Sequence, residues 1–291
     1  MKQIVFISGK GGTGKSTLVA SLSLLVESKI IADCDVDAPN LHLIIPGERR
    51  KAEHYYGAKQ ALIDPNLCVP CERCKSVCRF DAITEDIRII PANCEGCGAC
   101  ALVCPQNAIS LVDVKTGEAY VDNTNRGTFS HALLDIGEEG SGKLVTKVKE
   151  NLPEFYNGEA WALIDGSPGI GCTVIASITG ADAAVAVCEP TKSGKSDLIR
   201  VLGLTRHFGI PAYVCINKYD LNTAIACEIE SECEENGFPV IGKIKFEPAI
   251  VRALQSLKTP LEAGLTEVAC QIENFWEELK KCLTKTEEEI C

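Results

Sequence analysis

The fold of this chain is decided by one stretch of sequence, Gly9-Lys10-Gly11-Gly12-Thr13-Gly14-Lys15-Ser16. It matches the phosphate-binding pattern G-x-x-x-x-G-K-[ST], which requires a strand before it and a helix after it. Before it, Gln3–Ser8 (QIVFIS) is a short apolar run typical of a buried parallel strand. After it, Thr17–Glu27 has a helical pattern. This order predicts a loop whose backbone N–H groups surround phosphate oxygens.

The loop predicts specific contacts to a nucleotide. Lys15 should reach the β- and γ-phosphates, and the hydroxyl of Ser16 should bind Mg²⁺. A chance glycine-rich turn is the alternative, and the flanking strand and helix argue against it. The predicted nucleotide-binding residues are Gly9, Lys10, Gly11, Gly12, Thr13, Gly14, Lys15, Ser16 and Thr17.

Strand and helix patterns alternate along the rest of the chain, which predicts an α/β fold with a doubly wound, mostly parallel sheet. Helical patterns include Ser196–His207 and Ile225–Asn236, and Thr266–Glu289 is predicted to be an acidic amphipathic helix. The segment Glu118–Asn157 shows no clear pattern, and its GEEGSGK portion is interpreted as a loop. The predicted strands after the first are Lys29–Ala32, Trp161–Ile164, Ala183–Cys188 and Ala212–Ile216.

A second lysine, Lys10, directly follows the first glycine of the loop. The resulting sequence G-K-G-G-T-G-K-S-T resembles the deviant Walker A motif of the MinD/ParA superfamily of P-loop ATPases, to which the nitrogenase iron protein also belongs. The resemblance implies ATP hydrolysis, with Lys10, Lys15 and Asp35 as catalytic residues. It further implies that Lys10 reaches the nucleotide of a partner subunit, in a homodimer or a heterodimer with a paralogue that holds ATP between the two subunits.

Asp33–Asn40 (DCDVDAPN) resembles switch I of the same superfamily. By this resemblance, Asp35 would position or activate the attacking water near Mg²⁺, and Asn40 would sense the state of the nucleotide. A capped turn after a strand is the alternative interpretation of the segment. Its order in the sequence, after the phosphate loop, favours the switch.

Asp165–Gly169 (DGSPG) resembles switch II, with Gly169 as part of the switch. By this resemblance, Asp165 would hold Mg²⁺ through water. The implied magnesium site therefore consists of Ser16, Asp35 and Asp165.

Asn217-Lys218-Tyr219-Asp220 resembles the base-recognition segment of the superfamily, which implies that Asn217 contacts adenine. An N-K-x-D string also occurs in guanine-binding GTPases. The MinD-like phosphate loop favours ATP.

Eight of the 17 cysteines form two blocks of equal spacing. The residues that follow the blocks also repeat, because FDAI at 80–83 corresponds to QNAI at 106–109. This internal duplication resembles bacterial ferredoxins with two 4Fe–4S clusters. Zinc binding by C-x2-C pairs is the alternative, but a triple spacing with a distal cysteine favours clusters. The blocks are Cys68-x2-Cys71-x2-Cys74-x3-Cys78 and Cys94-x2-Cys97-x2-Cys100-x3-Cys104.

In such ferredoxins the fourth cysteine of each block ligates the other cluster. The stretch 57–117 contains both blocks and several prolines, and it is predicted to be a small α+β ferredoxin-like domain inserted between the ATPase core segments 1–56 and 118–291. Cluster I would take Cys68, Cys71, Cys74 and Cys104. Cluster II would take Cys94, Cys97, Cys100 and Cys78.

Composition limits the location and the partners. Clustered thiols without a signal peptide indicate a reducing compartment, and we expect a cytoplasmic protein. The longest apolar runs are too short to span a bilayer. A net charge of −11 repels nucleic-acid phosphate and anionic lipid, so neither nucleic acid nor membrane is an expected partner.

Together, the motifs resemble MinD-superfamily ATPases with an inserted ferredoxin domain. The implied function is ATP-driven motion of the dimer and switches, coupled to electron transfer through two 4Fe–4S clusters to a redox partner protein. The expected cofactors are two 4Fe–4S clusters, ATP or ADP, and Mg²⁺. One alternative is an ATPase for iron–sulfur assembly or for maturation of a client metalloprotein, although the C-terminal cysteines lack the C-x-x-C of known scaffold ATPases. A spatial-positioning ATPase is the other, and the acidic charge disfavours it.

Overall fold

The structure, a computed structural model, describes residues 1–288, so Glu289 of the predicted C-terminal helix lies outside the described residues. The first strand and the first helix flank the phosphate loop as predicted, and alternation continues to the C-terminal helix. The strands are β1 (Lys2–Ser8), β2 (Lys29–Asp33), β3 (Gly47–Tyr55), β4 (Ala58–Ile63), β5 (Ile109–Val114), β6 (Gly117–Thr124), β7 (Gly127–Leu134), β8 (Trp161–Pro168), β9 (Ala183–Cys188), β10 (Ala212–Asn217) and β11 (Val240–Ile244).

The helices vary from one turn to 23 residues. Two short 3-10 turns, Pro91–Asn93 and Tyr219–Leu221, accompany them. The helices are α1 (Lys15–Leu25), α2 (Leu41–Ile44), α3 (Arg73–Val77), α4 (Ala99–Leu102), α5 (Gly142–Glu154), α6 (Cys172–Ile178), α7 (Lys192–His207), α8 (Thr223–Glu235), α9 (Ala249–Gln255) and α10 (Thr266–Glu288). Among the described residues, no helix is both long and apolar enough to cross a bilayer.

The main sheet has nine strands in the order β11-β10-β9-β1-β8-β2-β7-β6-β3. The pairs from β11 to β7 are all parallel. Only Asn125 and Arg126 separate β6 from its neighbour β7, and so short a connection requires an antiparallel hairpin. The predicted α/β fold with a mostly parallel sheet is therefore confirmed.

Both faces of the central strand β1 are covered, because Ile4 to Ser8 are all buried. On one face, Ile4 and Phe6 pack with Leu22 of α1 and Phe275 of α10. The rings of Phe6 and Phe275 lie 6.5 Å apart. A central strand covered on both sides is the reason that its sequence is a continuous apolar run.

The segment Glu118–Asn157, interpreted from the sequence as poorly patterned, contains most of β6, all of β7 and the helix α5. These strands bury polar side chains, including Asp122, Ser130 and His131. The alternation of apolar and polar residues that predicts a strand is therefore interrupted in the sequence. The first five residues of GEEGSGK form a loop after β7, whereas its last two, Gly142 and Lys143, begin α5. Ser141 caps α5 by accepting a hydrogen bond from the N–H of Leu144.

The chain divides into two compact units. Unit 1 comprises Met1–Glu53, Ala119–Leu134 and Glu139–Cys291, and unit 2 comprises His54–Glu118 and Asp135–Glu138. Unit 2 includes the antiparallel pair β4 and β5, joined in register from Ala58 opposite Val114 to Ile63 opposite Ile109. The sequence predicts an inserted domain at 57–117, and its being an insertion stays a prediction.

Candidate nucleotide site and cysteine cavities

The phosphate loop connects the end of β1 to the start of α1. Gly12 (φ 81°) and Gly14 (φ 91°) adopt left-handed backbone conformations, which favour glycine. A Cβ at Gly14 would also collide with the side-chain amide of Asn217. That amide donates a hydrogen bond to the carbonyl of Thr13 at 2.7 Å, which links the loop to the end of β10.

Lys15 is held between two carboxylates. Its ammonium lies 2.6 Å from Oδ1 of Asp165 and 3.7 Å from Oδ2 of Asp35, and the side chain is 4% exposed. Burial disfavours its charge, but the carboxylates of Asp165 and Asp35 outweigh that effect and raise the pKa of Lys15. The predicted phosphate-binding lysine is therefore a cation, and the carboxylates predicted to hold Mg²⁺ lie next to it.

Asp33 has a role that the sequence analysis missed. Its two carboxylate oxygens accept hydrogen bonds from the backbone N–H groups of Asp35 at 3.1 Å and Leu41 at 3.2 Å, so it ties both ends of the switch I segment. Asp33 is fully buried and pairs in register with Asp165 of β8. Burial, followed by the charge of Asp165, raises the pKa of Asp33 well above its ordinary value. Its only sequence signal was its position at the end of a strand.

Two hydrogen bonds connect the switch segments. The N–H of Cys34 donates to the carbonyl of Asp165 at 2.7 Å, and the hydroxyl of Ser167 donates to the carbonyl of Cys34 at 2.7 Å. Gly169 (φ 91°) ends the second segment, and its N–H donates to the carbonyl of Ser8 at 2.8 Å. These hydrogen bonds tie the two segments to each other and to the end of β1.

Two neighbouring clefts share the residues of the phosphate loop. The first gathers most of the predicted phosphate and magnesium residues, including Thr13, Lys15, Ser16 and Asp35, and it also includes Asn40 of the predicted switch I. The second is mainly apolar and lies beside Gly12, Gly14 and Asn217. A polar cleft next to an apolar one suits a nucleotide, because its phosphates are charged and its base is a flat, mostly apolar ring. The apolar wall of the second cleft includes Leu18, Ile244, Phe246, Ile250, Val251 and Leu254.

Lys10 is paired within its own chain. Its ammonium lies 3.4 Å from Oε2 of Glu189, and its side chain is 34% exposed. The other carboxylate oxygen of Glu189 pairs with Lys218, which also donates to the carbonyl of Gly12 at 3.2 Å. The reach of Lys10 toward a partner subunit stays a prediction.

The eight cysteines of the two blocks line two separate cavities in unit 2. Each cavity combines three cysteines of one block with the fourth cysteine of the other. The first is lined by Cys68, Cys71, Cys74 and Cys104, and the second by Cys78, Cys94, Cys97 and Cys100.

The duplication of the cysteine blocks extends to the backbone. The residue after the second cysteine is left-handed in both blocks, Glu72 (φ 60°) and Gly98 (φ 79°), and each begins a short helix. Asp81 and Asn107, three residues after the fourth cysteines, both have φ 49°. Equal spacing therefore produces equal local structure, which places matching thiols around each cavity.

The donor set of each cavity fits a 4Fe–4S cluster, which is held by four cysteine thiolates. Backbone N–H groups also approach two of the sulfurs, from Ala61 to Cys94 at 3.4 Å and from Ala108 to Cys104 at 3.3 Å. Within residues 1–288, no three His, Cys, Asp or Glu side chains converge on a single ion site. A cubane differs from a single ion, because each thiolate binds a different iron.

The sheet and the phosphate loop define the class of this molecule, a P-loop nucleotide-binding protein. The chain belongs to the CobQ/CobB/MinD/ParA nucleotide-binding domain family, whose profile matches residues 4–261.

Three known proteins are similar to all or part of this chain. The uncharacterized protein MJ0578 of Methanocaldococcus jannaschii is 38% identical over 228 residues, covering 76% of this chain and 79% of its own. A putative formate dehydrogenase of Staphylococcus aureus is 34% identical over 101 residues, covering 28% of this chain and 10% of its own. The cell division ATPase MinD of Pyrococcus furiosus superposes with a TM-score of 0.58 at 17% identity, covering 97% of this chain and 99% of its own. This last likeness shows the fold.

Proposed function

We propose that this protein hydrolyses ATP and carries two 4Fe–4S clusters, and that nucleotide-dependent motion of its dimer and switch segments controls electron transfer to a partner protein. One observation carries the proposal: a P-loop cleft and two cavities of four cysteines each occur in a single chain. When bound, 4Fe–4S clusters supply one-electron transfer.

The nucleotide cleft supports ATP chemistry through charges that are already in place. Lys15 is a buried cation that can transfer its attraction from carboxylates to phosphate oxygens. Asp165 and Asp35, which flank Lys15, would hold the Mg²⁺ of the substrate together with Ser16. Asp35 is the candidate to orient the attacking water, because it lines the cleft while its backbone is fixed by Asp33.

The cysteine cavities support cluster binding with a crossed arrangement of ligands. Cys78 and Cys104 each line the cavity of the opposite block. Crossing ties the two halves of unit 2 together, because each cluster would bridge both blocks. Removal of one ligand would then loosen both halves.

Pairs of serine substitutions test this arrangement in the full-length chain purified without oxygen. The wild type should contain about eight irons per chain. Cys78→Ser combined with Cys94→Ser removes two ligands of one cavity, and about four irons should remain. Cys78→Ser combined with Cys68→Ser removes one ligand from each cavity, and iron should fall toward zero. Ligation of each cluster within one block predicts the reverse order.

A control variant is Cys270→Ser, because Cys270 is exposed and lies outside both cavities. It should retain about eight irons, which would separate ligand loss from a general effect of losing a thiol. Colourless, iron-free wild-type protein would defeat the proposal. So would protein that fails to bind MgATP.

The dimer is tested through Lys10. An ATP analogue that resists hydrolysis should shift the wild type from monomer to dimer in sedimentation, and Lys10→Ala should stay monomeric while it still binds the analogue. A wild type that remains monomeric would remove the homodimer from the proposal and leave a heterodimer with a paralogue, which a pull-down with the co-expressed paralogue would detect.

A second candidate is an ATPase that delivers iron–sulfur clusters to a client metalloprotein. It is favoured by Cys71 and Cys97, the second cysteines of their blocks, because both are exposed. Clusters with exposed ligands are accessible to an acceptor thiol. This function predicts MgATP-dependent transfer to an apo-ferredoxin within minutes. Clusters that resist both the acceptor and an iron chelator would favour the electron carrier.

A further inference from the structure

One side chain of switch I makes a hydrogen bond outside the nucleotide cleft. Oδ1 of Asp37 accepts a hydrogen bond from the backbone N–H of Gly140 at 2.7 Å. A Cβ at Gly140 would lie 2.6 Å from Oδ1 of Asp37 and 2.7 Å from Cγ2 of Val36. A Cβ at this position would therefore force the side chains of Asp37 and Val36 to shift.

Gly140 lies next to a boundary between the two units. Asp135–Glu138 belongs to unit 2, and the chain re-enters unit 1 at Glu139. Within unit 2, the N–H of Asp135 donates to the carbonyl of Thr116 at 2.9 Å. The segment that precedes Gly140 is therefore covalently continuous with unit 2 and hydrogen-bonded within it.

We propose that the Asp37–Gly140 hydrogen bond is the coupling contact through which switch I acts on unit 2. The proposal rests on the proposed function, because it needs a nucleotide that moves switch I. It assigns Asp37 a role separate from the cleft, whose lining includes its neighbours Asp35 and Ala38.

The way in which switch I is anchored directs its motion to Asp37. Asp33 fixes the backbone at Asp35 and at Leu41. A nucleotide that contacts Asn40 or Ala38 in the cleft can therefore displace chiefly the residues between these two anchors. Asp37 lies in that span, and its carboxylate makes a charge-assisted hydrogen bond to the N–H group, a stronger type than a neutral bond.

The anchoring of the other side directs the motion onward to unit 2. Ser141 caps α5, and the side chains of Leu144 and Val148 on that helix are fully buried. The chain after Gly140 is thus fixed, whereas Ile136 and Gly137 before it are exposed. A displacement of Gly140 is therefore passed to the preceding residues Asp135–Glu138, which belong to unit 2.

Hydrogen exchange of the cluster-loaded full chain, with and without a slowly hydrolysed MgATP analogue, tests the contact. In the wild type, the analogue should change exchange in switch I and in a peptide that covers residues 135–138. Asp37→Ala should retain analogue binding and the switch I response, but lose most of the response at 135–138. Asp37→Asn keeps an acceptor oxygen and should retain that response.

Two further variants sharpen the test. Gly140→Ala should reproduce the loss by steric conflict with Asp37 and Val36. Glu139→Ala changes an exposed neighbour and should leave the response intact. An undiminished response at 135–138 in Asp37→Ala would overturn the coupling contact alone. A wild type that binds the analogue but shows no response in unit 2 would overturn the coupling in the proposed function as well.

Discussion

The nucleotide cleft and the cysteine cavities differ in what holds them together. The cleft stands at the strand ends of a large hydrophobic core, and Lys15 already lies between Asp165 and Asp35. Unit 2 has only 69 residues and a core of four buried side chains, Ala61, Cys74, Ile83 and Ile109. Domains of this size bury a smaller fraction of their apolar surface than large domains do, so their stability is marginal without a bound metal or disulfides.

Thiols supply much of the remaining wall of the small core. Cys78, Cys94, Cys100 and Cys104 pack against it, and burial raises the pKa of Cys74 and Cys100, which are equivalent positions in the two blocks. The fold of unit 1 therefore forms the nucleotide cleft before any ligand binds. Unit 2, by contrast, is expected to need the group that its cysteines bind in order to fold stably. Four measurements test this contrast.

Removal of iron should have the largest effect. Without bound metal, unit 2 should lose its cooperative unfolding transition and the protection of its amides, because metal binding by such small units is part of their folding free energy. Unit 1 should keep its transition, which fluorescence reports separately because both tryptophans, Trp161 and Trp276, lie in unit 1. Protected amides in residues 58–114 of iron-free protein would break the contrast.

Removal of the Lys15 ammonium should destabilise unit 1 by about 3 kcal/mol, since it leaves buried carboxylates without their cation. Denaturant unfolding of Lys15→Ala, followed by tryptophan fluorescence, gives this value. Lys10→Ala is the matched control in the same loop, because the Lys10–Glu189 pair is partly exposed and should contribute at most about 1 kcal/mol. If Lys15→Ala and Lys10→Ala lost equal free energy of unfolding, the buried charges around Lys15 would not be part of what stabilises the cleft.

Acidification should destabilise unit 1 through His131, which is 1% exposed and lies 2.9 Å from Asp122 and stacked near His42. Burial lowers the pKa of His131, although the nearby Asp122 opposes this effect. The folded state therefore takes up this proton less readily than the unfolded chain, so its stabilisation is complete above the unfolded pKa of about 6.5 and is lost as the pH falls toward the lower folded value.

Below pH ~6.5, the free energy of unfolding of unit 1 should fall by at most about 1.4 kcal/mol per pH unit through His131. The variant His131→Gln should reduce this slope. Unfolding by denaturant at several pH values measures the slope. His54→Gln changes an exposed histidine of unit 2 and should leave the slope of unit 1 unchanged. An unchanged slope in His131→Gln would assign the acid sensitivity to other groups.

The smallest effect concerns a helix cap. The hydroxyl of Thr191 accepts a hydrogen bond from the N–H of Gly194 at 2.9 Å at the start of α7. Thr191→Ala should cost unit 1 about 1 kcal/mol, and Thr191→Ser should retain most of that stability. Visible absorbance of the proposed clusters should not change in either variant. A matched loss of absorbance would show that the units unfold together.

Local sequence patterns predicted much of the central sheet, and the sequence motifs identified most of the candidate site residues. Ala183–Cys188 is a strand with its predicted bounds, because a strand covered on both faces is apolar throughout. The strand β3 escaped prediction, because its sequence GERRKAEHY is charged and largely exposed, as is common at a sheet edge.

Interactions between distant strands could not be predicted. The contact of Asp33 with both ends of switch I depends on the loop path, and its closeness to Asp165 depends on the register of β2 and β8. The pairing of Lys10 with Glu189 likewise joins loops that follow β1 and β9. A sequence gives the ends of strands, but these contacts depend on how the strands are aligned.

The neighbouring positions of β3 and β6 have a consequence for the ancestry of the chain. The cysteine-rich segment follows β3 and leads into β6, and these strands are adjacent in the sheet, with the N–H of Thr116 donating to the carbonyl of Tyr55 at 2.9 Å. In outline, the cysteine-rich module is an enlarged hairpin loop. Such a loop can be gained or deleted by recombination without re-threading any strand, so a gene for the P-loop core could have acquired the module in one event.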